Sequence, residues 1–96
     1  MKFIVHWVRN PGVTPFETGQ RRKEVEAQRP AGLTVLCAWY AVGEPEGVGI
    51  VEADDARDIA VQIARYGNLV RFTVTPALSR EEWEATLATV PDDAPL

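Results

Sequence analysis

Short apolar runs alternate with longer polar-rich stretches along the chain, and the two carry different periods. Phe3–Val8, Leu33–Tyr40, Val48–Ala53 and Leu69–Thr75 are rich in β-branched and aromatic residues and are bounded by Gly, Pro, Asn or Asp. Such runs predict four strands. The intervening stretches open on helix caps. Thr14-Pro15-Phe16-Glu17 combines an N-cap threonine, a first-turn proline and a glutamate three residues on, predicting a helix from there to about Arg29. Its apolar stripe is poor: Phe16 and Val25 fall on opposite sides, and Gly19 weakens the helix by roughly 1 kcal/mol. Asp54 or Asp55 caps a second helix, with Ala56, Ile59, Ala60, Ile63 and Ala64 at helical spacing and Gly67-Asn68 as its stop. Ser79 and Glu82 form a capping box for a third, which carries Trp83, Leu87 and Val90 on one stripe. Residues 91–96 read as a loose acidic tail.

The short link Gly43–Gly47 makes strands two and three an antiparallel hairpin. Two right-handed β-α-β units sharing one sheet then predict an α+β, ferredoxin-like β-α-β-β-α-β domain over residues 1–90, with an extra C-terminal helix. The expected sheet is four-stranded and antiparallel, in the order 4-1-3-2. Alternate residues of a strand point to opposite faces, so parity sorts the side chains. One face collects Phe3, Val5, Trp7, Leu33, Val35, Cys37, Trp39, Gly49, Val51, Ala53, Val70, Phe72 and Val74, and reads as the helix-packed core. The second collects Ile4, His6, Val8, Thr34, Leu36, Ala38, Tyr40, Val48, Ile50, Glu52, Leu69, Arg71, Thr73 and Thr75. That face is too apolar to stand open to water and too polar for a dry core. Three short helices cover only one face, so the pattern predicts a homodimer that closes a mixed cavity between two second faces, a dimeric α/β barrel.

Composition narrows the function classes. A net charge of −4 argues against a nucleic-acid partner, because phosphate contacts need clustered Lys and Arg. The basic run Arg21-Arg22-Lys23 is followed by Glu24 and Glu26 and reads as a solvated helix face. One cysteine, Cys37, excludes an internal disulfide and fits a reducing compartment. No apolar stretch reaches membrane length, and Met1-Lys2 leads straight into a strand, so no membrane and a cytoplasmic location are expected.

Counting removes several chemistries. Ser79 is the one serine and serves as a cap, so a serine triad is not expected. One histidine and one cysteine make a poor zinc set, and the glycines lack a dinucleotide spacing; no metal and no cofactor are expected. His6, Glu52 and Arg71 remain as candidate catalytic residues on the second face. Histidine is the side chain that titrates nearest neutral pH, Glu52 would orient it or act as base, and Arg71 would steady a developing oxyanion. Tyr40, Thr73, Ile4, Leu36 and Ile50 are the candidate substrate contacts. The same residues have plainer readings. Glu52 and Arg71 also suit a structural ion pair across a dimer, and His6 a satisfied interior histidine. Trp7, Trp39 and Trp83 suit packing rather than a cofactor box.

Met1-Lys2-Phe3, Trp39-Tyr40-Ala41 before a glycine turn, the stretch Val51–Ala56, and Phe72-Thr73-Val74-Thr75-Pro76 together resemble a short bacterial family of unknown function, number 3303. The resemblance covers most of residues 1–89. More widely the chain is similar to the dimeric α/β-barrel group, which includes cofactor-free monooxygenases, cyclases and isomerases of aromatic or polyketide-like compounds. The resemblance implies the barrel dimer and a hydrophobic, oxygenated small-molecule ligand in natural-product metabolism. With the ionisable groups of the second face, it points to cofactor-free acid–base chemistry such as cyclisation, isomerisation or dehydration. A non-catalytic carrier, a cofactor-free monooxygenase and a structural dimer module without a pocket are the alternatives.

Overall fold

The computed structural model describes residues 1–92, so the tail expected over 91–96 lies outside the described residues from position 93 onward. The elements follow the order β1 (Lys2–Arg9), α1 (Pro15–Ala27), β2 (Leu33–Tyr40), β3 (Glu46–Ala53), α2 (Ala56–Ala64), a 3-10 turn (Gly67–Leu69), β4 (Val70–Ala77) and α3 (Arg80–Leu87). The sheet order is β2-β3-β1-β4, with every pair antiparallel, as the alternation predicts.

The caps form at the residues that chemistry favours. Thr14 Oγ1 accepts from the Glu17 amide at 3.1 Å and Asp55 Oδ1 from the Arg57 amide at 2.9 Å. Each satisfies a helix-start donor that has no intrahelical partner. At α3 the box is complete: Ser79 Oγ accepts from the Glu82 amide, and Glu82 Oε1 accepts from the Ser79 amide at 2.9 Å. Hydrogen bonds to that carboxylate from the Ser79 amide and hydroxyl, with a further one from Lys2, hold the Glu82 carboxyl down at about 2, against an ordinary 4.5. Gly67 turns the chain out of α2 with φ at +60°, in the left-handed region that glycine reaches without steric cost.

Several strand boundaries differ from the sequence reading: β1 gains one residue at each end, and β4 starts at Val70 because Leu69 closes the 3-10 turn. β3 begins at Glu46 rather than Val48, because its ladder with β1 extends until Val8 meets Glu46. β4 continues through Pro76 to Ala77. It is an edge strand, so the proline's missing N–H faces away from β1 and no ladder bond is lost.

The core is one compact cluster. Phe3, Val5, Leu33, Val51 and Ala53 from the first sheet face pack with Ile59 of α2, and Trp7, Val35, Ile63, Phe72 and Val74 flank them. α2 therefore seals its half of that face. α1 does not seal the other half: Val25, 1% exposed, is its one buried side chain, and Phe16 is 85% exposed. Its weak apolar stripe leaves a gap between helix and sheet.

Candidate functional site

That gap is a cleft of about 340 Å³, open on one side, between α1, α2 and the first sheet face. Trp7, Arg22, Tyr40, Gln62, Tyr66 and Phe72 are among its lining residues. Glycine choice in β3 shapes its floor. A Cβ on Gly47 would collide with the Trp7 indole, and one on Gly49 would lie 3.5 Å from it, so the ring lies flat along a strand stripped of side chains. Tyr40 meets Trp7 edge-on at 5.5 Å between centroids, and Tyr66 meets Phe72 in the same way at 5.1 Å. Edge-to-face pairs of this kind fix ring orientation as well as burying area.

Polar groups punctuate the aromatic wall. Arg22 Nη1 donates to the Tyr40 hydroxyl at 3.1 Å, and its guanidinium carbon lies 5.4 Å from the ring centroid. Arg21 donates to the Arg65 carbonyl at 2.9 Å, and Arg65 in turn donates to the Gln28 carbonyl, so two arginines latch α1 to the end of α2. Tyr66 is pushed up to about 12 from 10.0, first by burial and then by the negative potential of Glu26. Its hydroxyl is therefore a neutral donor over the physiological range. Gln62 Oε1 is buried with no donor facing it.

The predicted site residues fall out differently. His6 sits mid-sheet, opposite Val48 on one side and Thr73 on the other, and Ile4 lies opposite Ile50, so these five keep the second face expected of them. Tyr40 does not. The ladder slips between Val35 and Cys37, with Val35 opposite Val51 and Cys37 opposite Ile50. One extra residue in β2 inverts every later side chain. Tyr40 therefore turns to the helix side, beside Trp7 and Arg22, while Cys37 and Trp39 leave the core face. Both are exposed, Trp39 at 71%. Leu36, at the slip itself, is exposed.

Glu52 and Arg71 are not brought together within the chain. Glu52 is level with Lys2 and Arg71 with Val8 along β1. Six residues of strand separate those levels, about 20 Å. Neither residue makes an ion pair among the described residues. The carboxylate that does approach His6 is Glu46, with Oε2 3.6 Å from Nε2 and both side chains about half exposed. Glu46 was legible in principle: it shares the parity of Val48 and would follow from extending β3 two residues backward. Gln62 lies in the last turn of α2 and Tyr66 in the turn just past it, where no strand parity applies, and only the packing of α1 and α2 over the sheet places them at the cavity. No group of three or more potential metal ligands occurs among the described residues, and no described helix is long and apolar enough to cross a membrane.

Comparison with known proteins gives a family and a distant structural likeness. Among solved structures, a REP-associated tyrosine transposase bound to a REP hairpin is similar at a TM-score of 0.47 and 14% identity. The match covers 88% of this chain and 60% of that one, so this chain spans less than two thirds of the transposase chain. No curated protein matches. The family model described as Domain of unknown function (DUF3303) matches residues 1–91.

Proposed function

The chain belongs to the DUF3303 family, and from that premise we propose that it binds a planar, oxygen-bearing hydrophobic small molecule in the cavity between α1 and the sheet. In the same proposal it works as a two-fold homodimer formed through the second sheet face. The cavity carries the first part. Its volume falls in the range of small-molecule sites, and its make-up is that of one: four aromatic rings with a few polar groups among them. Trp7 and Tyr66 offer ring faces and edges for stacking. The neutral Tyr66 hydroxyl and the Arg22 guanidinium suit a ligand carbonyl or phenolic oxygen. The chain's net negative charge continues to favour a small molecule over a nucleic acid.

Titration of the isotope-labelled protein with 2-naphthol and 1,8-dihydroxyanthraquinone tests this reading. The expected result is saturable shifts at the Trp7 indole N–H and the Gln62 side-chain amide, abolished in Trp7→Ala. Shifts confined to second-face residues such as His6 and Val48, or none at all, would overturn it.

A second reading, acid–base catalysis on the second face, draws on the 3.6 Å approach of Glu46 to His6. In it His6 transfers protons and Glu46 orients the ring, while Glu52 and Arg71 act only if the partner subunit brings them near. Loss of a proton-transfer group costs about 10²–10⁴-fold in rate. His6→Ala and Glu46→Gln should show that loss with an identified substrate, and unchanged turnover in both would end this reading.

A further inference from the structure

α3 is an amphipathic helix without a surface of its own chain to lie on. Trp83 and Leu87 stand one turn apart on one side of α3, and both are exposed together with Leu78 at the helix entry and Val90 just past its end. Every residue from Arg80 to Asp92 is exposed. Among the described residues, the one side-chain bond from α3 to the rest of the fold is Lys2 Nζ to Glu82 Oε1, at 3.2 Å. That bond and the Ser79 cap set the direction in which the helix leaves the sheet, and neither covers its stripe.

The dimensions show how far the chain departs from a compact monomer. Its radius of gyration is 16.1 Å, against about 12.5 Å for a compact chain of this length. Its accessible surface is 7057 Å², against about 5,500 Å² for a compact monomer of this mass. The surplus of about 1,500 Å² per chain exceeds the roughly 800 Å² that each partner buries in an interface of standard size. The surplus includes two apolar surfaces: the α3 stripe and the second sheet face, where Ile4, Trp39 and Val48 stand exposed.

We infer that α3 is an exchanged arm: in the dimer, each α3 lays Trp83 and Leu87, with Val90 just past the helix end, against the second sheet face of the other copy. The inference rests on the dimer reading above and adds to it which element reaches across. A second copy is the occupant that matches, because each chain carries one unpartnered apolar helix and one unpartnered apolar face. A two-fold axis pairs both at once and leaves neither open.

The arm is tested in mixed dimers of the full chain. One copy carries Cys37→Ser with Ala88→Cys and a nitroxide on the new thiol; the other carries Cys37→Ser alone and is ¹⁵N-labelled. The expected result is paramagnetic broadening of the Ile4, Trp39 and Val48 amides in the labelled copy. The double variant Trp83→Glu, Leu87→Glu should weaken dimerisation at least 100-fold in sedimentation while leaving the far-UV spectrum of the sheet unchanged. A stable dimer without broadening on that face would overturn the arm and leave the dimer standing. A monomer throughout the micromolar range would overturn both.

Discussion

Arg22 donates a hydrogen bond to the Tyr40 hydroxyl at 3.1 Å, tying the weakest helix to an edge strand beside the cavity. The tie is solvent-exposed, so it contributes little to global stability, about 0–1 kcal/mol. Its weight falls on α1, which has Val25 and the arginine latches to the end of α2 as its other holds. Hydrogen exchange should find α1 amides less protected than those of Ala56–Ala64, and Tyr40→Phe should widen that gap without moving the melting temperature by more than a few degrees. Equal protection in both helices would contradict this account of α1.

Gln62 should trade stability for binding. Its Oε1 is buried with no donor, and a buried acceptor without a partner costs about 1–3 kcal/mol. Gln62→Met keeps the side-chain length and removes the orphaned oxygen. The variant is expected to melt higher than the parent in the absence of ligand and to bind 2-naphthol more weakly. A lower melting point would mean that the amide is satisfied in solution.

Tyr66 sets an alkaline limit. Its folded-state value of about 12 lies above the ordinary 10.0, so the fold favours the protonated phenol. The associated stability is fully present below pH 10 and is lost as pH rises toward 12. Urea unfolding at pH 8, 10 and 12 should show the parent losing stability relative to Tyr66→Phe across that window. Parallel profiles for the two proteins would remove Tyr66 as the cause.

Gly47→Ala tests the floor of the cavity. The added methyl would sit 2.6 Å from the Trp39 carbonyl oxygen and against the Trp7 ring. Because the carbonyl belongs to the backbone, β2 must shift or Trp7 must leave its place. A loss of about 1–3 kcal/mol is expected, with a changed Trp7 environment in the indole region of the NMR spectrum. The same substitution at Gly12, where nothing lies within 4 Å, carries no steric clash, although its φ of +83° strains any side chain.

Local chemistry in the sequence determined the order and kind of every strand and α-helix, though not the 3-10 turn at Gly67–Leu69. Caps at Thr14, Asp55 and Ser79 are decided within three residues of chain, and the strand alternation follows from the two-residue period. The core was legible for the same reason: Phe3, Val5, Leu33, Val51 and Ala53 share one parity, and burial confirms them. What depends on a neighbour was decided only in three dimensions. The slip between Val35 and Cys37 exists because β2 has to pair with β3, and no propensity within β2 announces it. It moved Tyr40 to the helix side and Trp39 to the open face. The cavity likewise follows from how far α1 stands off the sheet, a distance set by the stripe α1 lacks and by a tryptophan lying over two glycines. Parity could place Glu52 and Arg71 on one face, but only the register could set them at opposite ends of it.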